Sequence, residues 1–399
     1  MTGVCFTCDA PFGENGMPSV SAIQSATTLA LREALALYGE IGLQVAVIHR
    51  GALVVDAVAG VADQATGRPV EQDTLFLVFS NSKGVTATVV HRLVERGLME
   101  YDAPLATYWP EFAKHGKGNV TVRHALSHRA GLPEFRDMPI TDYPSLLQTG
   151  RHLENATPDW APGASMAYHS MTFGTLLGRA VEGATGTPFG DVMRAEVAHP
   201  LGLDDMWFGV PADVAVSARI ATLEAAKDPD PSTGLGPMTH EEREDRAQSA
   251  ADFNTSAARA GCMPAAGLMT NARALVRHYA AMREAGLDGV RLLSPSTIAE
   301  ATIPYSGADG AHVAWTTRMG LGYALGAAIH PFCGIPTVAP WPDAFGHTGF
   351  GGSISMYCPS HDLAVVMTKN ALAPSRFSFQ SWDLVLRAIA GALGIDYDG

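Results

Sequence analysis

The chain has 399 residues, of which 47% are hydrophobic and 17% charged, a composition typical of globular proteins and too apolar for a disordered one. Its net charge of −13 is accompanied by no basic cluster, so nucleic acid is not an expected partner. No run of 18 or more apolar residues occurs, and the N-terminus lacks the basic and apolar regions of a signal peptide, so we expect no membrane span and a cytoplasmic location.

The five cysteines are odd in number and scattered, unlike a disulfide framework. Cys5 and Cys8 form one C-x-x-C without a second pair, and we interpret it as an ordinary terminal segment and not as a metal or redox site.

The first elements predicted along the chain are a helix and a hairpin. Residues 25–40 repeat apolar positions at helical spacing and end near a glycine. Residues 43–48 and 52–59 have strand character and are separated by the turn signal His-Arg-Gly. A sheet is therefore expected to begin near the N-terminus.

A strand followed by a helix is predicted next. The segment LFLVF ends in Ser-Asn-Ser, and VTATVVHRLVERGL then has helical periodicity up to Gly97, so Ser80 is predicted at or near a helix N-terminus. Residues from about 100 to 300 favour helices and loops. Within them, residues 222–253 are charged, proline-containing and weakly periodic, which is typical of a surface excursion or a lid.

Strand character returns in GLGYALGAAI, GGSISMYC and DLAVVMTKN, and a helix is predicted in SWDLVLRAIAGAL. We therefore predict an α/β (α+β) fold in which residues 20–98 and 300–399 form one lobe, an antiparallel sheet flanked by helices. Residues 99–299 are predicted to form a mainly helical inserted lobe, with the active site in the cleft between the two.

Ser80 and Lys83 are the first candidates for chemistry. Positions i and i+3 share one face of a helix, so the hydroxyl and the amine can meet one turn apart. A serine becomes a good nucleophile when a neighbouring base takes its proton, and lysine can do so once burial lowers its pKa. The alternative is a chance pair with a solvated lysine, although the chain has only five lysines.

Five motifs follow one another along the chain. Their combination indicates a protein family far more specifically than any one motif does. The chain carries DTLFLVFSNSKGVTATVVHRLVERGL, VRHALSHRAGL, Pro-Gly followed by Tyr168-His-Ser170, Ala-Gly-Leu at 266–268, and His347-Thr-Gly349. Over roughly residues 20–395 it resembles the serine β-lactamase and penicillin-binding protein superfamily, and within it the class C β-lactamase-like, or family VIII, carboxylesterases.

The resemblance implies roles for several residues. Ser80 is the expected nucleophile of a covalent acyl-enzyme, with Lys83 and Tyr168 as general base, and Tyr168 is expected to have its pKa lowered by two nearby cations. The backbone N–H groups of Ser80 and Phe350 form the expected oxyanion hole, and Gly349 lets substrate approach the backbone. No metal or organic cofactor is needed.

Two departures from the β-lactamase pattern favour carboxylic esters as small-molecule substrates. His347 stands where β-lactamases carry lysine, so a permanent cation for a lactam carboxylate is missing at neutral pH. Ser170 stands where class C enzymes place asparagine, and a hydroxyl offers less to an amide side chain. His347, Gly349 and Ser170 are the predicted substrate-binding residues.

Three alternatives stay open: an acyltransferase on the same acyl-enzyme, a β-lactamase or D-peptidase, and an inactive binding protein. His128 is interpreted as a packing or hydrogen-bonding residue beside the site. Trp160 and Trp315 either line an acyl pocket or belong to the core. The oligomeric state does not follow from the sequence.

Overall fold

An antiparallel sheet is the largest unit of the chain. The computed structural model describes residues 19–215, 218–305, 318–326 and 340–397, so Cys5, Cys8, Cys333 and Trp315 lie outside the described residues. The strands are β1 (Gly42–His49), β2 (Ala52–Asp63), β3 (Arg68–Pro69), β4 (Phe76–Leu77), β5 (Met206–Phe208), β6 (Glu224–Ala225), β7 (Leu268–Thr270), β8 (Ala324–Leu325), β9 (Phe345–Thr348), β10 (Ile354–Cys358), β11 (Leu363–Lys369) and β12 (Ala371–Leu372).

Seven of these strands form one sheet in the order β3-β2-β1-β11-β10-β9-β8. All neighbouring pairs in it are antiparallel. Near the centre, β1 pairs with β11 from Leu43 opposite Lys369 to His49 opposite Leu363. The sheet is thus assembled from two parts of the chain that are far apart in sequence. Smaller sheets are β4-β7-β5 and the parallel pair β6 and β12.

Helices surround the sheet and fill the middle of the chain. They are α1 (Val20–Leu37), α2 (Asn81–Glu95), α3 (Val122–Leu126), α4 (Leu146–Asn155), α5 (Thr172–Thr185), α6 (Phe189–Met193), α7 (Ala212–Ala215), α8 (His240–Phe253), α9 (Ser256–Ala260), α10 (Ala272–Ala280), α11 (Pro295–Ala301) and α12 (Gln380–Leu393). In the described ranges, none of the helices combines the length and apolar character needed to cross a bilayer.

The two faces of the sheet are buried in different cores. Along β1, Leu43 and Val45 point into a core shared with α1 and α12, whereas Ala46 and Ile48 point into the core that contains α2 and α10. This alternation follows from the two-residue period of a strand. Burying an aliphatic side chain of this size stabilises the fold by about 2 kcal/mol, so a central strand apolar on both faces is held firmly in register.

Helix α2 connects the sheet to the helical part of the chain. It is buried over most of its length and contacts both β9 and α5. Gly174 in α5 lies so close to the backbone of Ala265 that a β-carbon there would collide with it. This close approach positions the chain before β7 directly beside the first turn of α2.

The predicted fold class is confirmed, and so are the N-terminal helix, the hairpin and the closing helix. The hairpin turn places Arg50 and Gly51 at φ of 51° and 82°, as a two-residue turn between twisted strands requires. Helix α1 begins at Val20, earlier than predicted, because the Ser19 side chain accepts a hydrogen bond from the Ala22 N–H at 3.2 Å and caps it.

Other predictions need correction. The strand expected at 320–329 is reduced to Ala324–Leu325, with 327–329 outside the described residues. Strands β5 and β7 were not anticipated in the helical region, because three residues are too few to show a period. The segment 222–253 contains α8, whose buried face is limited to Ala250. A helix without an apolar stripe lacks the pattern that would predict it. The lobe boundaries stay a prediction.

Candidate active site

Ser80 lies at the junction of β4 and α2. It occupies the N-cap position of α2, but its side chain makes no capping hydrogen bond, so the hydroxyl is not bound to the backbone N–H groups of the helix it precedes. The preceding residue, Phe79, has a φ of 46°. A bulky residue in the left-handed region is strained by about 1–3 kcal/mol. The surrounding fold therefore holds a sharp turn that presents Ser80 at the end of the helix.

Lys83 lies one helical turn further on and is fully buried. Its Nζ is 2.9 Å from Ser80 Oγ and donates a hydrogen bond to the Ala265 carbonyl at 3.1 Å. Among the described residues, no carboxylate forms an ion pair with it. Burial without a counter-charge lowers the pKa of Lys83 well below its ordinary value. A neutral amine can donate to Ala265 and still use its lone pair to accept the Ser80 proton.

Tyr168 completes the group. Its side chain forms a hydrogen bond with that of Ser80, and Lys83 Nζ lies 4.9 Å from the centre of its ring. Burial raises the pKa of Tyr168, and the hydrogen bond from Ser80 opposes this only in part. The expectation that two cations lower this pKa is wrong, because burial disfavours the charged form of both neighbours, Lys83 and His347. Tyr168 is a phenol.

His347 lies on β9 across from this group, with its ring centre 6.2 Å from that of Tyr168. It is 3% exposed, and its Nδ1 is 2.7 Å from the Thr348 carbonyl. Burial, and secondarily the proximity of Lys83, lowers its pKa to about 3. The imidazole is therefore neutral throughout the physiological range, in agreement with the predicted lack of a permanent cation at this position.

The ring of His128 packs against that of Tyr168. Its ring centre is 4.9 Å from that of Tyr168 and 5.0 Å from that of Phe173. Its Nδ1 accepts a hydrogen bond from the backbone N–H of His169 at 3.0 Å. Since burial also lowers the pKa of His128 well below its ordinary value, the ring is neutral. The ring accepts from His169 and the backbone carbonyl of His128 accepts from the Ala167 N–H at 3.3 Å, so the residue fixes the chain on both sides of Tyr168. The predicted packing and hydrogen-bonding role is confirmed.

Gly349 brings β9 against the nucleophile segment. A β-carbon at this position would lie 2.5 Å from the Val78 carbonyl oxygen and 2.8 Å from Asn81 Nδ2. The glycine was expected to make room for substrate. The structure shows that it makes room for the backbone that precedes Ser80. This contact therefore sets how closely the end of β9 approaches the segment before Ser80.

Asn81 and Ser355 hold the same junction, and the sequence analysis did not identify them. Asn81 Nδ2 donates to the Val78 carbonyl at 2.9 Å, and Asn81 Oδ1 accepts from Ser355 Oγ on β10 at 2.6 Å. Asparagine is a poor residue inside a helix and favours hydrogen bonds to nearby backbone, and this was the signal available at the start of α2. The pair links the first turn of α2 to the sheet.

The remaining candidates have less defined positions. Ser170 is exposed and forms no hydrogen bond among the described residues, so its contact with substrate stays a prediction. Trp160 is partly buried, and its ring centre is 6.4 Å from that of His169. The contact of Trp160 with His169 favours a packing role for this residue.

The pKa values predict how activity depends on pH. Since the pKa of Lys83 is lowered, we expect kcat/KM for a neutral ester to rise with pH along one acidic limb as the ammonium group loses its proton. The limb should lie below the ordinary lysine value of about 10.4. Because the pKa of Tyr168 is raised, activity should then stay level on the alkaline side.

Initial rates between pH 5 and pH 10, corrected for spontaneous hydrolysis, would measure this profile. The histidines of the site do not titrate within this pH range, because the pKa of His347 is about 3 and that of His169 about 4. A rate that falls steadily from pH 6 to pH 9 would contradict a neutral lysine as the base.

A serine, a buried lysine and a tyrosine in mutual contact, on a mixed fold with a large antiparallel sheet, are typical of a serine hydrolase. The β-lactamase family model matches residues 29–389. The chain therefore belongs to the β-lactamase family.

Comparisons with individual proteins agree with this assignment. The chain is 32% identical over 375 residues to the esterase/beta-lactamase LipL of Mycobacterium tuberculosis, covering 89% of this chain and 81% of that protein. A family VIII carboxylesterase structure is similar with a TM-score of 0.75 and 27% identity, covering 96% and 99% of the two chains. A penicillin-binding protein homologue from Caulobacter crescentus has a TM-score of 0.76 and 27% identity, covering 98% and 99%.

Proposed function

We propose that the enzyme hydrolyses carboxylic esters through an acyl-enzyme on Ser80. The uncharged amine of Lys83 accepts the Ser80 proton while Oγ attacks the ester carbonyl. The observation that carries this proposal is the 2.9 Å contact between Lys83 Nζ and Ser80 Oγ, made by a lysine that is buried without a carboxylate partner among the described residues. A solvated lysine would stay protonated at neutral pH and could not act as a base.

The later steps use Tyr168 and two backbone groups. The N–H groups of Ser80 and Phe350 stabilise the oxyanion that forms on the carbonyl oxygen. Tyr168, a phenol within hydrogen-bonding distance of Ser80, receives a proton relayed from Lys83 as it gives its own to the departing alkoxide. Water then attacks the acyl carbon, the same groups remove its proton, and the acid leaves as Ser80 regains its hydrogen.

Esters are favoured over lactams by the charge at the third motif. A neutral His347 offers no cation to a lactam carboxylate, whereas an ester without a charge needs none. The relative with 32% identity is called both an esterase and a beta-lactamase, so β-lactam hydrolysis is the second candidate. Turnover of a chromogenic cephalosporin much faster than that of a nitrophenyl ester would favour this second candidate.

The acyl-enzyme can be detected directly. After incubation with p-nitrophenyl butyrate, we expect the intact mass of the wild type to increase by one butyryl group, and that of Ser80→Ala to stay unchanged. Peptide mapping should locate the group on Ser80. The same adduct on Ser80→Ala, or labelling of another residue in the wild type, would contradict the proposal. Adding candidate alcohols to the acylated enzyme separates hydrolysis from acyl transfer, since a transferase forms the new ester in preference to the acid.

A further inference from the structure

An aromatic cluster of Phe79, Phe253 and Phe350 lies next to the nucleophile. The ring of Phe79 is 5.5 Å from that of Phe350 and 5.2 Å from that of Phe253, which is the last residue of α8. Phe79 is buried, whereas Phe350 is 40% exposed. Phe350, whose N–H is one of the two proposed oxyanion donors, therefore presents an apolar surface beside Ser80, and the buried ring of Phe79 links it to α8.

Arg246 on α8 reaches the exposed end of this surface. Its guanidinium carbon lies 4.4 Å from the centre of the Phe350 ring, a cation–π contact. The side chain is 13% exposed, and its Nε is buried without a hydrogen-bond partner among the described residues. Burial lowers the pKa of Arg246, yet a guanidinium stays charged in proteins. Arg246 is thus a partly desolvated cation beside the ring of Phe350.

The acidic neighbours compensate this cation only weakly. Asp245 Oδ2 is 3.1 Å from Arg246 Nη1, but the Asp245 side chain is 63% exposed, and an ion pair of this kind contributes little. The other acidic neighbour, Glu242, is engaged by Arg376 at 3.0 Å. Arg246 therefore has capacity for a further anionic partner.

The chemistry of the site determines which part of a substrate can reach Arg246. The leaving oxygen must lie beside Tyr168, which protonates it, and the carbonyl oxygen must point at the two N–H groups. The acyl chain is bound by neither of these groups and can extend along the exposed ring of Phe350. From the contact with the Phe350 ring, the guanidinium lies within about 10 Å of the Phe350 N–H, a distance that an acyl chain of about six to eight carbons spans.

We propose that Arg246 binds a carboxylate at the far end of the substrate's acyl chain, so that half-esters of dicarboxylic acids are preferred over neutral esters of the same length. This inference rests on the proposed esterase function and names the substrate class for the same site. The aliphatic part of such a chain packs on the exposed ring of Phe350, and its carboxylate forms charge-assisted hydrogen bonds with the guanidinium. The cation missing at His347 is thus supplied from α8, at a greater distance from the reacting carbonyl.

The test compares two esters that differ in one terminal group, mono-p-nitrophenyl suberate and p-nitrophenyl octanoate. The readout is the ratio of their kcat/KM values, because a general loss of folded enzyme or of catalysis cancels in it. In Arg246→Gln we expect this ratio to fall about tenfold relative to the wild type. Arg243→Gln, on the same helix but paired with Asp228 at 2.8 Å, should leave the ratio unchanged.

Salt provides a second measurement, since 0.5 M NaCl should lower the wild-type ratio and have less effect on Arg246→Gln. A ratio equal in the wild type and Arg246→Gln, with octanoate still hydrolysed through Ser80, would overturn the role of Arg246 and leave the esterase function intact. An equal fall in Arg243→Gln would also overturn it, since the effect would then be one of overall charge. Failure of the wild type to hydrolyse either ester would overturn both proposals.

Discussion

Replacing Lys83 with methionine is expected to lower kcat/KM for a neutral ester by about 10⁴-fold, because the other side chain in contact with Ser80, Tyr168, has a raised pKa and is a poor base as a phenol. Methionine has a similar length and fills the buried site without a charge. The free energy of unfolding should therefore stay the same or increase, since a buried amine with one carbonyl acceptor is replaced by an apolar group. Steady-state kinetics and urea unfolding of the same preparation measure both effects.

The matched control is Lys114→Met, which makes the same substitution at an exposed position and should change kcat/KM by no more than about twofold. A Lys83→Met variant that is folded and retains most of the wild-type rate would show that another group activates Ser80. A variant that loses both activity and cooperative unfolding would instead show that Lys83 supports the fold.

Gly349→Ala is expected to lower kcat by about 10²- to 10³-fold, with a smaller change in KM. The added methyl group would lie 2.5 Å from the Val78 carbonyl oxygen, which belongs to backbone and cannot swing aside. The end of β9 must therefore move away from the start of α2, which separates the N–H groups of Ser80 and Phe350. Because the loss is in transition-state stabilisation, Ser80 should still react slowly with a fluorophosphonate probe.

Gly391→Ala is the control, because a β-carbon at this position on α12 meets no atom within 4 Å. We expect it to leave kcat unchanged and to increase stability slightly, as alanine replaces glycine inside a helix. A Gly349→Ala enzyme with the wild-type kcat would mean that the two N–H groups do not act together on the oxyanion.

The opposite pKa shifts at the site have a common origin. Burial lowers the pKa of the Lys83 amine and raises that of the Tyr168 phenol, so it favours the uncharged form of both groups. A neutral base beside a neutral acid can pass one proton from Ser80 to a leaving group without placing a charge in the buried site at rest. An ion pair of lysine with tyrosinate would need a desolvated anion and cation, which burial disfavours.

Sequence-based prediction succeeded where the information is local. The Ser80–Lys83 contact follows from the spacing of one helical turn, and the hairpin follows from two apolar runs separated by a turn. It was less successful where an element lacks a period, as in β5, β7 and α8. Helix α8 has a recognisable capping box between Thr239 and Glu242. It was not predicted because its residues are polar on nearly all sides and show no apolar stripe.

The sequence by itself predicted the nucleophile and its base, and it determined the order of the motifs, the fold class and the absence of a permanent cation at His347, because each depends on residue type and short spacing. Only the tertiary structure decided the rest: the direction of the pKa shifts at Lys83 and Tyr168, the need for Gly349 beside Val78, and the contact of Arg246 with Phe350. These depend on desolvation and on close approach between segments far apart in the chain, which residue spacing does not encode.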